Sequence, residues 1–449
     1  MTTLTKPTIP FSEAPWISGL PSPYFKESHK KLREFVRRWT DQHLFPNAAR
    51  LEESGKADPK IYAQAAKDGL LIPFALGAKI PRKLYDEFAE GIKLPAGIEP
   101  EEWDHFHDYV LCDELHRVGN GSAIMSMYGG LAYGAGPIVN FASKKLQERF
   151  LPDLLTGRKR IALAITEPKA GSNVANLSTT AELTPDGRHF IINGTKKWIT
   201  NGVWSDYLTT AVRTSGKAGD SNGITFIIIP VRGPGSEGVE LKQMKMTGSS
   251  ASGTTFVDFD QVKVPRENVI GKEGEALKYI FYNFNHERMT IAIFANRYAR
   301  VCLEDAIAHS IRREVFGKKL IENPVVRYEI GHMARQVESL QAWIEMLLYQ
   351  QNNLTVEQAN VLTGGQTAAL KAHAGIVLEN VCSGCTQLLG GLGLTRGGTG
   401  ARIEQIWREV KAFTIPGGSA SVMIDLAVRQ QLKLIQSLAQ EGRKSGSKL

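Results

Sequence analysis

The pattern of apolar and polar positions divides this chain into three parts. From Glu27 to Leu51, from Lys60 to Leu71 and from His107 to Val118, apolar residues recur at the spacing of a helix. Between residues 161 and 270 they alternate with polar residues and are interrupted by turn-forming ones, as in short strands. Beyond Gly274 the helical spacing returns in long segments. This order predicts an α+β protein with an N-terminal helical domain, a central β domain and a C-terminal helical bundle.

Changes in the pattern also give the expected domain boundaries. A proline-rich segment at the N-terminus is expected to be an extended leader, and a small polar tail is expected to close the chain. We place the leader over 1–24, the helical domain over 25–160, the β domain over 161–272, the bundle over 273–440 and the tail over 441–449.

Some local features add detail to this outline. In the β domain, strands over 190–192 and 195–199 flank Asn193-Gly194, a pair that favours a tight turn. In the helical domain, a Pro- and Lys-rich insert lies between Gly77 and Trp103, and its purpose is not indicated by the sequence. The helices predicted for the bundle are Ala276–Phe316, Val325–Asn353, Val356–Leu389, Arg402–Phe413 and Ser419–Ala439.

The composition is that of a globular protein with sizeable cores: 449 residues, 42% hydrophobic and 22% charged. A net charge of +8 favours polyanionic partners, either nucleic acid or the phosphates of a nucleotide-bearing substrate. No run of like charges marks a dedicated nucleic-acid arm. Four cysteines indicate a reducing compartment without a disulfide framework, and no apolar stretch is long enough for a membrane span.

One loop carries more chemistry than its surroundings. It holds the string Thr-Glu-Pro-Lys-Ala-Gly-Ser at 166–172, and Lys-Trp-Ile-Thr follows at 197–200. Pro168 and Gly171 favour an irregular loop, and Gly171 allows backbone N–H groups to approach a phosphate. The hydroxyl groups that would surround such a phosphate belong to Thr166, Ser172 and Thr200.

Together the two strings resemble the signature of the acyl-CoA dehydrogenase flavoproteins, and the resemblance covers residues 25–435. It implies the same architecture, an FAD cofactor and an acyl-CoA substrate. Members of that family remove the α-proton of an acyl thioester with a carboxylate while the β-hydride passes to the flavin. The resemblance assigns to FAD binding Thr166, Gly171, Ser172, Trp198, Ile199 and Thr200, with Ser172 also facing the substrate.

The catalytic carboxylate departs from the common family pattern. In most members a Glu follows an Arg-Asp-x-Lys segment and directly precedes Gly-Thr or Gly-Ser. The corresponding stretch here runs from Arg408 to Ser419, and Gly417 stands where the Glu is expected. The resemblance assigns Gly417 and Gly418 to the substrate site, where the small residue would leave volume for a long or branched acyl chain.

Another source of the base lies on the first helix of the predicted bundle. The long-chain and isovaleryl branches of the family place a Glu directly before an Arg on that helix. The segment Asn285-His286-Glu287-Arg288 resembles that arrangement and identifies Glu287 as the expected base. By the same resemblance, Asn285 and Arg288 contact the pantetheine part of the substrate.

Two further strings resemble family signatures that bind the flavin of a neighbouring subunit. In Arg313-Glu314-Val315-Phe316-Gly317, the Arg suits a pyrophosphate and the Phe can stack on a ring. The glycines of 387–393 allow close backbone approach to the same cofactor. This sharing implies a homodimer or homotetramer. The cofactor contacts assigned outside the first loop are Arg313, Phe316, Gln387, Gly390, Gly391, Ser419 and Ser421.

Ser447-Lys448-Leu449 matches the peroxisomal address and predicts recognition by the peroxisomal import receptor. The electron acceptor stays open between an electron-transferring flavoprotein and oxygen. The expected function is FAD-dependent α,β-dehydrogenation of a medium-chain, long-chain or branched acyl-CoA. The alternatives are an oxygen-using acyl-CoA oxidase and a flavin-bearing DNA- or protein-binding relative without dehydrogenase activity, the latter motivated by the basic charge and Gly417.

Overall fold

The computed structural model describes residues 9–446. The chain divides into two compact units, which we call the sheet unit, Lys31–Phe284, and the bundle unit, the residues up to Lys30 together with those from Asn285 onward. The predicted order of helices, sheet and helices is confirmed. Ser447-Lys448-Leu449 lies outside the described residues, so the peroxisomal address stays a prediction from the sequence.

Several helices in the N-terminal part of the chain begin at residues that suit a helix N-terminus. The side chains of Asp104, Asn120 and Ser143 accept hydrogen bonds from the first backbone N–H groups of three of them. The helix predicted over 27–51 is divided at Pro46, because proline lacks the N–H group that a continuous helix needs. The helices are α1 (Glu27–His43), α2 (Ala48–Ser54), α3 (Pro59–Lys67), α4 (Leu71–Leu76), α5 (Arg82–Phe88), α6 (His105–His116), α7 (Gly121–Gly134), α8 (Gly136–Phe141) and α9 (Lys144–Leu155).

The insert between Gly77 and Trp103 is folded and packed. It contains α5, and a Cβ at Gly69 would come within 2.0 Å of the carbonyl oxygen of Lys93, so only glycine permits this approach. The insert therefore contributes to the core of the sheet unit. Its buried apolar side chains are Phe88, Leu94, Ile98 and Trp103.

An eight-stranded sheet forms the rest of the sheet unit. Its strands are β1 (Ile161–Ala164), β2 (Thr180–Leu183), β3 (His189–Ile199), β4 (Tyr207–Arg213), β5 (Ile224–Pro230), β6 (Val239–Gln243), β7 (Thr255–Pro265) and β8 (Val269–Ile270). They lie in the order β6-β7-β3-β2-β4-β5-β8, and β1 pairs in parallel with β4. Alternate apolar side chains of these strands form one buried cluster, which includes Ile192, Leu208, Ile227 and Val257.

The predicted tight turn at Asn193-Gly194 is wrong. β3 runs through both residues and pairs with β7, with a change of register between Ile192 and Gly194. The side chain of Asn193 accepts a hydrogen bond from the backbone N–H of Gln261, and a Cβ at Gly194 would lie 2.8 Å from the Cα atom of Thr179. The pair serves an irregularity of the ladder and a close backbone approach, which glycine permits as readily as a turn.

The bundle unit consists mainly of long helices joined by short connections. The helix predicted over 356–389 is divided at Thr363, and the last helix continues through Gly446, beyond the boundary expected at 440. The first helix ends at Arg312 and is followed by a short hairpin. The elements are α10 (Ala276–Arg312), β9 (Glu314–Val315), β10 (Lys318–Lys319), α11 (Pro324–Asn352), α12 (Val356–Leu362), α13 (Gly364–Leu389), α14 (Ala401–Thr414) and α15 (Ala420–Gly446).

The leader differs from the extended segment that its prolines suggested. From residue 10 to residue 19 it forms turns, and the side chain of Trp16 is buried. Two buried arginines of α10 bind it: Arg297 Nη1 lies 3.0 Å from the carboxylate of Glu13, and Arg300 Nη1 donates to the carbonyl oxygen of Glu13 at 3.2 Å. The leader is therefore an integral part of the bundle unit.

No helix within residues 9–446 is long and apolar enough to cross a membrane. All four cysteines are buried and none forms a disulfide. Cys385 of α13 lies with its sulfur 3.8 Å from the sulfur of Met333 in α11, so Cys382-Ser383-Gly384-Cys385 lies in a helix-packing surface, as predicted.

We predict that Glu13→Gln lowers the free energy of unfolding by about 3 kcal/mol, because it leaves the buried Arg297 guanidinium without its carboxylate. The matched control is Glu27→Gln, which removes an exposed ion pair with Lys30 and should cost less than about 1 kcal/mol. Urea denaturation of both variants and the wild type gives the comparison. Equal effects would show that the leader contact contributes no more than a surface pair.

Candidate active site

The two strings of the β domain meet where the chain leaves β1. The backbone N–H of Lys197 donates to the carbonyl oxygen of Thr166 at 2.9 Å. Beyond Thr166, Glu167 and Ala170 exchange two backbone hydrogen bonds and close a tight turn. The loop over 166–172 is therefore held against the end of β3, where the second string, residues 197–200, is located.

A buried ion pair fixes this loop from the inside. Lys196 Nζ of β3 lies 2.7 Å from Glu167 Oε1, and both side chains are almost completely buried. Burial acts to raise the pKa of Glu167, but Lys196 and hydrogen bonds from Ser178 and Thr179 outweigh it and lower the pKa to about 2. Burial lowers the pKa of Lys196 to about 8. Both groups are charged at neutral pH, and they tie the loop to β3.

Most residues assigned to the flavin are accessible around this loop. Gly171 and Ser172 are exposed, and no atom lies within 4 Å of the position that a Gly171 Cβ would take. The side chain of Trp198 is 45% exposed on a backbone of positive φ, whereas Ile199 is buried and Thr200 is partly exposed. Accessible hydroxyl groups and an open glycine backbone beside an aromatic ring suit a flavin nucleotide, so the residues present fit FAD.

Glu287 lies on α10 in surroundings that disfavour its charge. Its Oε1 atom is buried and has no hydrogen-bond partner among the described residues. Burial raises the pKa of this carboxyl group to about 7, although His286 and Arg288 act to lower it. A buried carboxyl group with a pKa near neutrality has the acid–base properties that a general base requires.

Arg288 links α10 to the segment that precedes α15. Its Nε atom donates to the carbonyl oxygen of Gly417 at 3.1 Å, and its Nη1 atom lies 3.4 Å from Asn285 Oδ1. Asn285 in turn donates to the side-chain oxygen of Asn360 at 2.7 Å. The structure thus joins three predicted substrate residues, Asn285, Arg288 and Gly417, in one network of hydrogen bonds that includes the residue next to Glu287.

A second buried cation holds the same segment from α13. The ammonium group of Lys371 donates to the carbonyl oxygen of Thr414 at 2.9 Å and to that of Gly418. Burial, and then the positive charge of Arg288, lower the pKa of Lys371 to about 8. Arg288 and Lys371 therefore bind three carbonyl groups of one short stretch, residues 414–418.

The position that a side-chain Cβ atom at Gly417 would take lies close to other side chains. A Cβ there would lie 3.1 Å from Ile291 Cδ1, 3.7 Å from Arg288 Cγ and 3.7 Å from Lys371 Cε. Gly417 also has φ +69° and Gly418 has φ +106°, a backbone region that favours glycine. Backbone conformation and packing thus favour glycine at 417, and the volume for a long or branched acyl chain stays a prediction from the sequence.

Arg313 and Phe316 lie where α10 is followed by the β9–β10 hairpin. Phe316 and Gly317 form its two-residue turn, and both have positive φ, as a type I′ turn requires. The side chain of Phe316 is fully exposed, and Arg313 is exposed as well. Among the described residues no hydrogen bond joins Arg313 to the others assigned with it. Those are exposed or partly exposed near the end of α13 or the start of α15: Gln387, Gly390, Gly391, Ser419 and Ser421.

Sequence reasoning gave no role to Glu167, Lys196 or Lys371. A signal was present for Lys371, because the positions around it on α13, Ala368, Ala372 and Leu378, are apolar and buried. A lysine on an apolar helix face needs oxygen atoms for its ammonium group once it is buried. The sequence could not indicate which oxygen atoms those would be, since they come from another part of the chain.

Comparison with known proteins shows the family to which this chain belongs. The N-terminal domain of the acyl-CoA dehydrogenases matches residues 74–158, the middle domain 162–262 and the C-terminal domain 274–432. The acyl-CoA dehydrogenase apdG of Emericella nidulans is 42% identical over 430 residues, which are 96% of this chain and 97% of that protein. The acyl-CoA dehydrogenase AFT10-1 of Alternaria alternata is 34% identical over 428 residues, 95% and 96% of the two chains. The chain belongs to the acyl-CoA dehydrogenase family.

Solved structures show the same fold. Butyryl-CoA dehydrogenase from Megasphaera elsdenii superposes with a TM-score of 0.79 at 23% identity, over 92% of this chain and all of that one. An acyl-CoA dehydrogenase from Bacillus anthracis, solved in complex with FAD, gives a TM-score of 0.78 at 21% identity, over 99% of this chain and 73% of that one.

We predict that replacing glycine by alanine has opposite effects on the free energy of unfolding at two positions of the bundle unit. Gly417→Ala should lower the free energy of unfolding by about 1–2 kcal/mol or more, because alanine disfavours φ +69° and its Cβ would crowd Ile291. Gly331→Ala, at an exposed and uncrowded position inside α11, should raise it by about 0.5–1 kcal/mol. Thermal and urea unfolding measure both. A Gly417→Ala variant as stable as the wild type would show that this position accommodates a Cβ atom without strain.

Proposed function

We propose that this protein catalyses FAD-dependent α,β-dehydrogenation of an acyl-CoA thioester, with Glu287 as the base that removes the α-proton. The observation that carries the proposal is the buried Glu287 Oε1 atom, to which no described residue donates. Family membership supports the class of reaction. Gly417, at the position where the common family pattern has its carboxylate, supports a base from another element.

The surroundings of Glu287 make it a stronger base than an ordinary carboxylate. Because its pKa is raised to about 7, the carboxylate binds a proton more tightly, and proton transfer from a weak carbon acid becomes less unfavourable. Above pH 7 the group is still mostly ionised and ready to accept that proton. The burial that disfavours its charge also limits the access of water, whose hydrogen bonds would stabilise the carboxylate and make it a weaker base.

The other residues in this proposal bind and orient. Asn285 and Arg288 hold the pantetheine part of the substrate, with Gly417 and Gly418 beside it. Bound FAD supplies the acceptor for the β-hydride. The residues of the sheet unit that would hold it are Thr166, Gly171, Ser172, Trp198, Ile199 and Thr200. The family resemblance also assigns Ser419 and Ser421 to the cofactor.

We further propose that Arg313, Phe316, Gln387, Gly390 and Gly391 complete the cofactor site of a second copy, in a dimer or tetramer. The full exposure of Phe316 at the tip of a type I′ turn supports this, because it leaves the ring accessible to a neighbouring copy.

The experiment that tests the function is anaerobic titration of the purified flavoprotein with a panel of acyl-CoAs of different length and branching. Bleaching of the flavin by one or more of them is the expected result, and the panel gives the preferred chain. Fast return of colour in air would favour an oxidase. Retention of FAD without bleaching by any thioester would favour the binding relative without dehydrogenase activity.

We predict that Glu287→Gln lowers the rate of flavin bleaching by about three orders of magnitude or more, since an amide of the same shape cannot accept the proton. FAD content and acyl-CoA binding should be retained. Glu329→Gln, an exposed glutamate on α11, is the matched control and should bleach at the wild-type rate. Undiminished bleaching by Glu287→Gln would remove Glu287 from the mechanism.

We predict that kcat/KM rises with pH and levels off above an inflection near pH 7, because only ionised Glu287 accepts a proton. Stability should show the opposite trend. The folded state keeps this proton up to about pH 7, whereas the unfolded chain releases it near pH 4.5, so the stabilisation is complete below pH 4.5 and is lost as the pH rises to 7.

Urea denaturation of the wild type and of Glu287→Gln between pH 5 and pH 8 measures this second trend. The variant should gain stability relative to the wild type as the pH rises. A constant difference between the two proteins would show that Glu287 keeps an ordinary pKa.

We predict that Arg313→Ala weakens FAD retention and shifts the oligomer toward smaller species, because a shared cofactor stabilises only the assembled state. Arg335→Ala, on the exposed side of α11, serves as the control and should change neither. Flavin content after dialysis and light scattering provide the measurements. Full flavin content and unchanged mass in Arg313→Ala would contradict the sharing of the site.

A further inference from the structure

Lys371 is placed where it can control the stretch over 414–418. It lies on α13, is 1% exposed, and its ammonium group donates to the carbonyl oxygens of Thr414 and Gly418, on both sides of Gly417. The carbonyl oxygen of Gly417, which lies between these two acceptors in the sequence, accepts a hydrogen bond from Arg288 Nε at 3.1 Å. The stretch is therefore held at three points by two cations from two different helices.

Burying the ammonium group of Lys371 in this way lowers the stability of the fold compared with an apolar side chain at the same position. Among the side chains that the structure describes, the ammonium group of Lys371 forms no ion pair with a carboxylate, so its charge is balanced by carbonyl dipoles. An apolar side chain of similar length would fill the same space without burying a charge. Two adjacent glycines of positive φ could adopt several backbone conformations, and the two hydrogen bonds from Lys371 select one.

The effect of this selection reaches Glu287 through Arg288. Arg288 is the residue after Glu287 on α10, and its positive charge favours the ionised form of that carboxyl group. The position of its guanidinium group depends on the carbonyl oxygen of Gly417, which in turn depends on the backbone that Lys371 holds.

We infer that Lys371 is a positioning residue for the dehydrogenation: by fixing the backbone of residues 414–418 it places Arg288, and through Arg288 it sets the electrostatic surroundings of the Glu287 carboxyl group. The inference rests on the proposed function in taking Glu287 as the base. Besides Arg288, the ionisable group that acts on Glu287 is His286 on the same helix. Arg288 also acts on Lys371, and residues 414–418 carry no ionisable side chain.

The test is the pH dependence of flavin bleaching in Lys371→Met. Methionine keeps the length of the side chain but donates no hydrogen bond, so the 414–418 backbone is released and Arg288 loses its fixed acceptor. The charge that favours ionised Glu287 then moves away, and the inflection of kcat/KM should shift upward by about half to one pH unit. The rate should fall several-fold near pH 7 and recover at higher pH.

Two further variants separate this role from a merely structural one. Lys411→Met removes an exposed lysine of α14 that pairs with Glu379, and its inflection should stay at the wild-type pH. Lys371→Arg keeps N–H donors and should restore the inflection at least in part. Because His286 is a second titratable neighbour, the series is repeated in His286→Gln, where the shift should persist. A rate that falls equally at every pH in Lys371→Met would overturn the inference.

An independent measurement covers the case in which no thioester bleaches the flavin, which would refute the proposed function by itself. The free energy of unfolding of Lys371→Met is compared with that of Lys371→Met/Glu287→Gln between pH 5 and pH 8. The pH range over which the destabilisation by Glu287 increases should extend to higher pH than it does when Lys371 is present. An unchanged range would refute the positioning role. Should Lys371→Met fail to fold, Lys371→Gln, which retains one donor group, takes its place in both measurements.

Discussion

Burial of positive charge is the constraint on which the bundle unit depends. Arg288, Arg297, Arg300 and Lys371 are all nearly inaccessible, and each donates to backbone carbonyl groups from a distant part of the chain. Arg297 and Arg300 also pair with the carboxylates of Glu13 and Glu338. A buried cation left unpaired would cost several kcal/mol, on the order of the whole stability of a domain. The leader and the 414–418 stretch are therefore fixed in place because helices α10 and α13 require their oxygen atoms.

Glu287 is the exception to that pattern, and the exception gives it chemical significance. The fold supplies every buried cation with oxygen acceptors but leaves Glu287 Oε1 without a donor. Arg288 is next to it in sequence, yet its Nε atom is committed to the Gly417 carbonyl. A carboxyl group in that position is destabilised when ionised and gains by taking up a proton, which is the property a base for a carbon acid needs.

In the sheet unit a buried charge is balanced by an opposite charge. Glu167 and Lys196 are buried as a pair, and the remaining carboxylate lone pairs accept hydrogen bonds from Ser178 and Thr179. The pair is fully satisfied, so it serves to hold a loop and not to react. Glu167 and Glu287 thus differ in the partners that each one has, and only Glu287 has an unpartnered buried oxygen atom among these two.

The sequence alone determined the order of helices and sheet, because hydrophobic periodicity is a local property, and it determined the family, because the motif strings are contiguous. The resemblance to the long-chain and isovaleryl branches also indicated Glu287 as the expected base. Only the tertiary structure decided that Asn193-Gly194 lies within a strand, that the leader is bound by Arg297, and that Ile291 lies 3.1 Å from the position of a Cβ at Gly417. Each of these depends on which distant atoms arrive at a given backbone position, and no local pattern of residues encodes that distance.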